Sequence, residues 1–248
     1  MQKEMYDQMN ETELYHWWFK SKREIVLSLA KPYLEGDIKI ADFGCGCGLF
    51  LKELETYGNA IGYDYSEHAL DYCRGKFKGK LVQLDLNEER TDLQNNLDVV
   101  FALDIIEHVK NDRAAIENIY RTMKPGGYAI FTVPAFQRLW SQNDINNMHY
   151  RRYNRKELAE LLEKAGFVIE YQSYYNFYLF FPAVIVRFLT KILKIDKNST
   201  IEYNSGNSVF NTLLYKIFSC EKRRISKHKR FPYGLSIIVL AKRGEEKE

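Results

Sequence analysis

Residues 38–50 read IKIADFGCGCGLF, and this stretch decides the fold. An apolar, β-branched run meets glycines at every second position, Gly44, Gly46 and Gly48, and an apolar pattern with helical spacing follows. The pattern predicts a strand, a tight turn and a helix. Because glycine permits positive φ and leaves room for a ligand against the main chain, the turn predicts a nucleotide-binding site.

The spacing of the glycines narrows the class of nucleotide. The dinucleotide fingerprint G-x-G-x-x-G requires a third glycine at the position of Leu49. The D-x-G-x-G-x-G pattern here instead resembles motif I of class I S-adenosylmethionine (SAM) dependent methyltransferases. The resemblance implies SAM as cofactor and S-adenosylhomocysteine (SAH) as product. Cofactor contacts are then expected from Asp42, Gly44, Cys45, Gly46 and Gly48.

Later strand ends extend this resemblance. Asp64 follows the second predicted strand, where a carboxylate can accept hydrogen bonds from both ribose hydroxyls. In the family, an acidic residue after the third strand binds the adenine amino group, and the segment after the fourth strand passes beneath the sulfur. For His108 in that segment, a packing role is the alternative to a catalytic one. The resemblance therefore implies further cofactor contacts from Asp64, Tyr65, Asp85, Leu86, Leu103, Asp104 and His108.

The resemblance covers residues 36–134 and implies an α/β fold, a Rossmann-like, mostly parallel sheet of seven strands with helices on both faces. We expect an N-terminal helical lid at 1–35, a SAM-binding core at 36–173, an insertion at 174–232 and the last strand and tail at 233–248. A helix from Asp112 to Lys124, a turn at 125–127 and a strand at 128–133 are predicted inside the core.

An aromatic and basic stripe marks the N-terminal region, where HWWFKSKRE places large side chains at helical spacing. The H-x-W-F-x-x-x-R pattern resembles the N-terminal helix of a bacterial and archaeal group of SAM methyltransferases. That resemblance implies that Trp18, Phe19 and Arg23 form a lid over the cofactor and shape the acceptor pocket. Ordinary core packing of the same stripe is the alternative.

Residues 134–154 form a long polar and aromatic segment after the fifth strand, at the sheet edge where ligands bind in open parallel sheets. A W-S-x-x-D…H-x-x-R-Y signature in it resembles the same group of enzymes. His149 is the candidate general base, because an unperturbed imidazole titrates near neutral pH. The alternative is that these side chains only hold the segment in place. The acceptor-site candidates here are Trp140, Asp144, Arg152 and Tyr153.

The predicted insertion contains an apolar helix near 177–194 and a basic segment at 222–230. The uncharged run is too short to span a bilayer. It suits attachment to a membrane surface or the wall of a hydrophobic acceptor pocket, and burial as a cap is the alternative. The basic segment suits an anionic ligand, lipid or RNA, and a solvated face is the alternative.

Composition limits the remaining classes. The net charge of +3 is small, and no Asp/Asn-Pro-Pro-aromatic motif follows the fourth strand, so nucleic acid is less favoured as a substrate. The four cysteines form neither a disulfide framework nor a zinc motif, so we expect a cytoplasmic protein, with membrane association as the variant, and no metal. The N-terminus has charges where an export signal needs an apolar core.

Two functions follow from the sequence. The first is methyl transfer from SAM to an oxygen or nitrogen of a small-molecule acceptor. The second is a noncatalytic binding platform of the same fold, at a membrane surface or on RNA.

Overall fold

A seven-stranded sheet forms the centre of the computed structural model, which describes residues 3–88, 96–192 and 208–245. The strands are β1 Lys39–Phe43, β2 Asn59–Asp64, β3 Lys80–Gln83, β4 Leu97–Leu103, β5 Met123–Pro134, β6 Phe167–Tyr175 and β7 Ser236–Arg243. Their order is β3-β2-β1-β4-β5-β7-β6, and β7 is antiparallel to both of its neighbours. The predicted Rossmann-like, mostly parallel sheet is therefore confirmed.

Helices cover both faces of this sheet. They are α1 Lys3–Thr12, α2 Trp17–Ala30, α3 Leu49–Leu54, α4 Glu67–Lys76, α5 Asp112–Thr122, α6 Gln142–Asn146, α7 Arg155–Lys164, α8 Phe180–Ile192, α9 Val209–Ser219 and α10 Lys222–Ile225. Side-chain caps fix several helix starts; for example, the Ser66 hydroxyl accepts a hydrogen bond from the Ala69 amide before α4. The division of the chain into lid, core and insertion stays a prediction.

The sequence of β4 is a continuous apolar run from Val99 to Leu103, and the structure shows why. Val99 and Phe101 belong to the hydrophobic cluster on one face of the sheet, and Val100 and Ala102 belong to the cluster on the other. All four side chains are buried. A parallel strand covered on both faces needs apolar residues, and β4 meets that requirement from Val99 to Leu103, whereas Asp98 near its start is partly exposed and pairs with Lys124.

The predicted boundary between α5 and β5 is wrong. The helix ends at Thr122 rather than Lys124, and β5 already begins at Met123, which pairs with Leu97. Gly126 adopts a φ of 77°, and the β4–β5 register shifts just after Leu97. The Pro-Gly-Gly segment is therefore a bulge inside β5, between the pairs Leu97–Met123 and Val99–Tyr128.

The N-terminal region and the insertion pack against each other. Trp18 on α2 stacks on Phe218 of α9, with ring centroids 5.3 Å apart. The buried Asn211 side chain accepts a hydrogen bond from the Trp17 amide and donates one to the Tyr15 carbonyl. The helix that covers the aromatic stripe is thus α9, whereas the sequence directed attention to the segment that forms α8.

Helix α8 leaves much of its apolar surface in solvent. Phe181, Ile185 and Phe188, spaced four and three residues apart, are 56%, 56% and 63% exposed. Its N-terminal end is held by Phe180, which packs on Phe136 and Tyr233. Within the described ranges, none of the helices combines the length and apolarity that a membrane span requires.

Candidate active site

The glycine turn after β1 has the backbone that the sequence predicted. Gly44, Gly46 and Gly48 have φ values of 76°, 55° and 88°. A Cβ added at Gly44 would lie 2.4 Å from the Ile105 side chain, and one at Gly48 would lie 2.7 Å from the Cys73 sulfur. At Gly44 and Gly48 the main chain therefore passes through positions where a side chain would not fit.

Asp64 at the end of β2 faces this turn. Its carboxylate accepts hydrogen bonds from the main-chain amides of Gly46 and Ser66, both at 2.9 Å. Burial raises the pKa of Asp64, while the two amides oppose the shift. Oδ2 keeps a second lone pair, and the second lone pair of Oδ1 meets only the Tyr6 hydroxyl at 3.5 Å, so Asp64 can accept the hydroxyl groups of a ribose if that long contact is exchanged.

A cavity of about 350 Å³ opens between the turn and the carboxyl ends of β1, β2 and β4. It has the position at which open α/β sheets bind ligands. Eight of the predicted cofactor residues line it, namely Gly44, Gly46, Asp64, Tyr65, Asp85, Leu86, Asp104 and His108. These eight are brought together by strands β1 to β4, which are neighbours in the sheet.

The other predicted cofactor residues lie behind the cavity lining. Asp42 is buried, and burial raises its pKa to about 8. The Cys45 sulfur lies 3.7 Å from the Cys73 sulfur. Gly48 begins α3, and Leu103 packs against a hydrophobic cluster. A direct cofactor contact from these residues stays a prediction.

Asp104 leaves β4 in a left-handed conformation, with a φ of 54°. Its carboxylate accepts hydrogen bonds from Lys22 of α2 at 2.7 Å and from the Thr132 hydroxyl at 2.9 Å. Burial opposes ionisation, but Lys22 holds the pKa of Asp104 below its usual value. Lys22 lies in the predicted aromatic and basic stripe, but nothing in the sequence predicted that its side chain contacts the residue after β4.

Helix α1, which lies in the predicted lid region 1–35, also covers the cavity, through a residue that the sequence analysis did not single out. Tyr6 lines the cavity, and its hydroxyl lies 3.5 Å from Asp64. Asp7 accepts hydrogen bonds from Tyr72 and pairs with His68 of α4, which ties α1 to the core. The apolar residues Tyr6 and Met9, three positions apart, are the weak helical signal that could have identified this element.

The three predicted lid residues do not line the cavity. Trp18 faces α9, and Phe19 contacts the His16 ring edge to face. Arg23 is buried and donates to Glu53 of α3 and to the Glu13 carbonyl. Their roles in lid closure and acceptor binding stay predictions, and in this structure Arg23 joins the α1–α2 turn to α3.

The 134–154 segment contains α6 and is organised around a buried carboxylate. Asp144 is fully buried and accepts hydrogen bonds from Arg152 Nε at 2.6 Å, Arg152 Nη2 at 3.0 Å and the Ser141 amide at 2.8 Å. Although burial opposes ionisation, hydrogen bonds from His149 and Arg152 hold the pKa of Asp144 well below its usual range. Asp144 and Arg152 therefore fix the shape of the segment.

His149 is oriented by Asp144 and touches the cavity wall through a second histidine. Its Nδ1 lies 3.0 Å from an Asp144 oxygen, and its ring meets His108 edge to face, with centroids 4.6 Å apart. His108 lines the cavity, and burial and the neighbouring His149 lower its pKa to about 3. The two imidazoles thus lead from the cavity to Asp144.

Trp140 and Tyr153 lie farther from the cavity. Trp140 follows a short turn whose Leu139 carbonyl accepts a hydrogen bond from Arg187 of α8. Tyr153 is buried, and its hydroxyl donates to Asp112 at the start of α5. Acceptor contacts from both side chains stay predictions.

Comparison with known proteins agrees with this geometry. The family described as "Methyltransferase domain" matches residues 15–172, which is more than half of the chain. The chain belongs to this methyltransferase family. A probable SAM-dependent methyltransferase of Mycolicibacterium smegmatis is 28% identical over 163 residues, which are 62% of this chain and 61% of the relative.

A second relative of this methyltransferase is a ubiquinone biosynthesis O-methyltransferase of Coxiella burnetii. It is 27% identical over 132 residues, covering 47% of this chain and 56% of the relative. The chain thus spans about three fifths of the length of the curated relatives that it matches.

Solved structures share the fold of this methyltransferase. A SAM-dependent methyltransferase from Archaeoglobus fulgidus superposes with a TM-score of 0.59 at 21% identity, covering 92% of this chain and 94% of the other. The [4+2]-cyclase SpnF superposes with a TM-score of 0.62 at 18% identity, covering 98% and 94%. Family and fold together place this chain among the class I SAM-dependent methyltransferases.

SAM as the cofactor fits the residues that are present. The cavity offers a side-chain-free turn, a carboxylate at the ribose position and an apolar residue, Leu86, beside Asp85 at the adenine position. The pyrophosphate-binding fingerprint G-x-G-x-x-G would place its third glycine at position 49, where this chain has Leu49.

Proposed function

We propose that this protein transfers a methyl group from SAM to an oxygen or nitrogen of a small-molecule acceptor. SAM supplies a methyl group already activated on a sulfonium. The observation that carries the proposal is the cavity in which the glycine turn and Asp64 meet, in a chain of the methyltransferase family.

In this proposal the chain contributes binding and orientation. Gly44 and Gly46 let the main chain approach the cofactor, Asp64 accepts the ribose hydroxyls, and Asp85 and Leu86 bind the adenine. The left-handed Asp104 and the Lys22 ion pair support the floor of the cavity near its acceptor end. Holding the two reactants in line supplies much of the rate in such reactions.

The binding step is tested by calorimetry with SAH. We expect the wild-type protein to bind SAH and the Asp64→Ala variant to bind it about 100-fold more weakly, because the ribose loses two hydrogen bonds to a charged group. Asp71→Ala, which removes an exposed carboxylate from α4, is the matched control and keeps wild-type affinity. An Asp64→Ala variant that is folded and binds SAH as tightly as the wild type would contradict the proposal.

We propose His149 as the residue that takes up the acceptor's proton, with Asp144 as its orienting partner. His149 contacts His108, which lines the cavity, so the acceptor's proton passes to the free His149 nitrogen directly or through one water. We expect His149→Ala to lower kcat by about 100-fold or more while SAH affinity stays close to wild type. His228→Ala, which removes an exposed imidazole from the basic segment, is the control. An unchanged kcat in His149→Ala excludes the base role.

Assays of SAH release with matched phenol, alcohol and amine compounds test which class of acceptor is methylated. The aromatic side chains of Tyr6 on α1 and Tyr150, which line the cavity, favour an apolar or aromatic acceptor. The Coxiella burnetii relative carries the name of a ubiquinone biosynthesis O-methyltransferase, which makes phenols the first compounds to test. SAH release with amines only would exclude O-methylation.

We also propose that α8 and the basic segment 222–230 contact an anionic membrane surface. The exposed Phe181, Ile185 and Phe188 lie on one face of α8. The segment's basic side chains are exposed, and both of its ends are attached just before α8: Glu221 accepts from the amides of residues 176–178, and Phe231 stacks on Phe177. An apolar helix flanked by cations is the pattern of peripheral membrane attachment.

Sedimentation with lipid vesicles tests this contact. The protein should bind phosphatidylglycerol vesicles in low salt, bind phosphatidylcholine vesicles weakly, and lose binding in high salt. The double variant Phe181→Ser, Phe188→Ser should bind at least about fivefold more weakly. Leu14→Ser, which removes an exposed leucine before α2, is the control. Equal sedimentation of wild type and double variant would refute the contact.

A further inference from the structure

Three potential metal ligands meet at the wall of the cavity. Glu107 and His108 lie in the single helical turn after β4, and His149 lies after α6. One donor atom from each residue lies within 4.8 Å of the other two. The Tyr150 amide donates to the Glu107 carbonyl at 2.8 Å, which fixes the two segments side by side.

The Glu107 carboxylate has an unfilled hydrogen-bonding site. Glu107 is 1% exposed, and its Oε2 has no hydrogen-bond partner among the residues that the structure describes. A buried carboxylate oxygen without a partner is costly. A cation bound to this oxygen would supply the missing partner.

Both imidazoles already have an outer partner that orients them. His149 Nδ1 faces Asp144 Oδ1 at 3.0 Å, and the His108 ring is hydrogen-bonded to the main chain of Asn147. Each ring therefore keeps its second nitrogen for the cluster. In metal sites, ligating histidines usually bond to a carboxylate or a main-chain carbonyl through the nitrogen that does not bind the ion.

We propose that Glu107, His108 and His149 bind a divalent first-row transition-metal ion at the wall of the cofactor cavity. Two imidazoles and one carboxylate suit zinc or iron and leave coordination positions open. Donors at about 2.1 Å from one ion lie about 3 to 4 Å apart, so small side-chain rotations close the site. His108 lines the cavity, so an open position faces it.

The consequence for catalysis rests on the proposed function. An ion in this place would bind an acceptor hydroxyl and lower its pKa. A ligating His149 nitrogen has no lone pair left for a proton, so in the metal-bound enzyme the ion replaces His149 as the activating group. The sequence predicted no metal because the ligands come from two distant segments without a spacing motif.

Titration of the full chain with Zn²⁺ and Co²⁺, after treatment with a chelator and without SAM, tests the site. We expect one ion per chain and a ligand-field spectrum for Co²⁺ that differs from that of the hydrated ion. His149→Ala and Glu107→Gln should weaken Zn²⁺ binding by about 100-fold, since each removes one of three ligands. His68→Ala, outside the cluster, should bind as the wild type does.

SAH binding by each variant shows whether it is folded and separates the two proposals. Zn²⁺ affinity that is absent in the wild type, or equal in the wild type, His149→Ala and Glu107→Gln, overturns the metal site and leaves SAH binding untouched. Failure of the metal-free wild type to bind SAH overturns the proposed function instead. If Glu107→Gln loses both Zn²⁺ and SAH binding, that variant is misfolded, and the metal site is judged by His149→Ala alone. The His149 side chain is partly exposed, so its removal disturbs the fold less.

Discussion

The two walls of the cavity are built in different ways. On the cofactor wall, Asp64 meets main-chain amides from the adjacent glycine turn and from its own strand end. On the acceptor wall, Asp144 meets the side chains of Arg152 and His149, and His149 meets His108 from another segment. The first wall depends on local backbone conformation, and the second on buried side chains held by long-range contacts.

The largest expected effect breaks the acceptor wall. Asp144→Ala leaves the buried Arg152 guanidinium without its counter-charge and should lower the free energy of unfolding by about 3 to 5 kcal/mol. Urea unfolding measures this loss. SAH affinity of the remaining folded protein should stay close to wild type, because the cofactor wall has no contact with Asp144. Asp71→Ala is the control with little expected change, and a similar result for Asp144→Ala would remove the distinction between the walls.

The next effect concerns pH and the buried Glu221, which anchors the insertion to the segment that follows β6. Burial raises its pKa from 4.5 to about 7, although three main-chain amides favour the carboxylate. The folded protein therefore binds more protons than the unfolded chain between these values, so the Glu221 contribution to stability falls as pH rises. Relative to Glu221→Gln, the wild type should lose on the order of 3 kcal/mol between about pH 4.5 and about pH 8.

Urea unfolding of both proteins at the two pH values measures that difference. The comparison with Glu221→Gln cancels other groups that titrate in the same window, such as Asp42. A stability difference between the two proteins that does not change with pH would show that Glu221 is ionised in the same range in both states.

The smallest effect tests the cofactor wall. Gly48→Ala places a Cβ at a φ of 88° and within 3.1 Å of the Cys73 main chain, so it should destabilise the protein by about 1 to 2 kcal/mol. Gly75→Ala on α4, where a Cβ would meet nothing within 4 Å, should be neutral or stabilising. Thermal unfolding of the two variants decides this, and equal midpoints would mean that the turn tolerates side chains.

The difference between the walls also explains what the sequence could predict. The glycine turn and Asp64 were predicted from patterns within short stretches of chain, and the structure brings these residues together as expected. These local patterns were enough to predict the cofactor wall, because neighbouring parallel strands all end at the same edge of the sheet.

The parts that the sequence did not predict depend on distant contacts. Lys22 reaches Asp104, Tyr6 of α1 covers Asp64, and α9 rather than α8 packs on the aromatic stripe. The β5 boundary differs because Met123, before the Pro-Gly-Gly bulge, already pairs with Leu97 of β4. Apart from the weak helical spacing of Tyr6 and Met9 in α1, these contacts leave no spacing signal, since each is decided by which surfaces meet after the sheet forms.

A crystal structure of the SAH complex tests the central claim most directly, because it shows what the cofactor wall binds. We predict that both ribose hydroxyls donate to Asp64, that the adenine lies against Leu86, and that the sulfur faces the end of β4 near Asp104. SAH bound elsewhere, or in this cavity without contact to Asp64, would contradict the account.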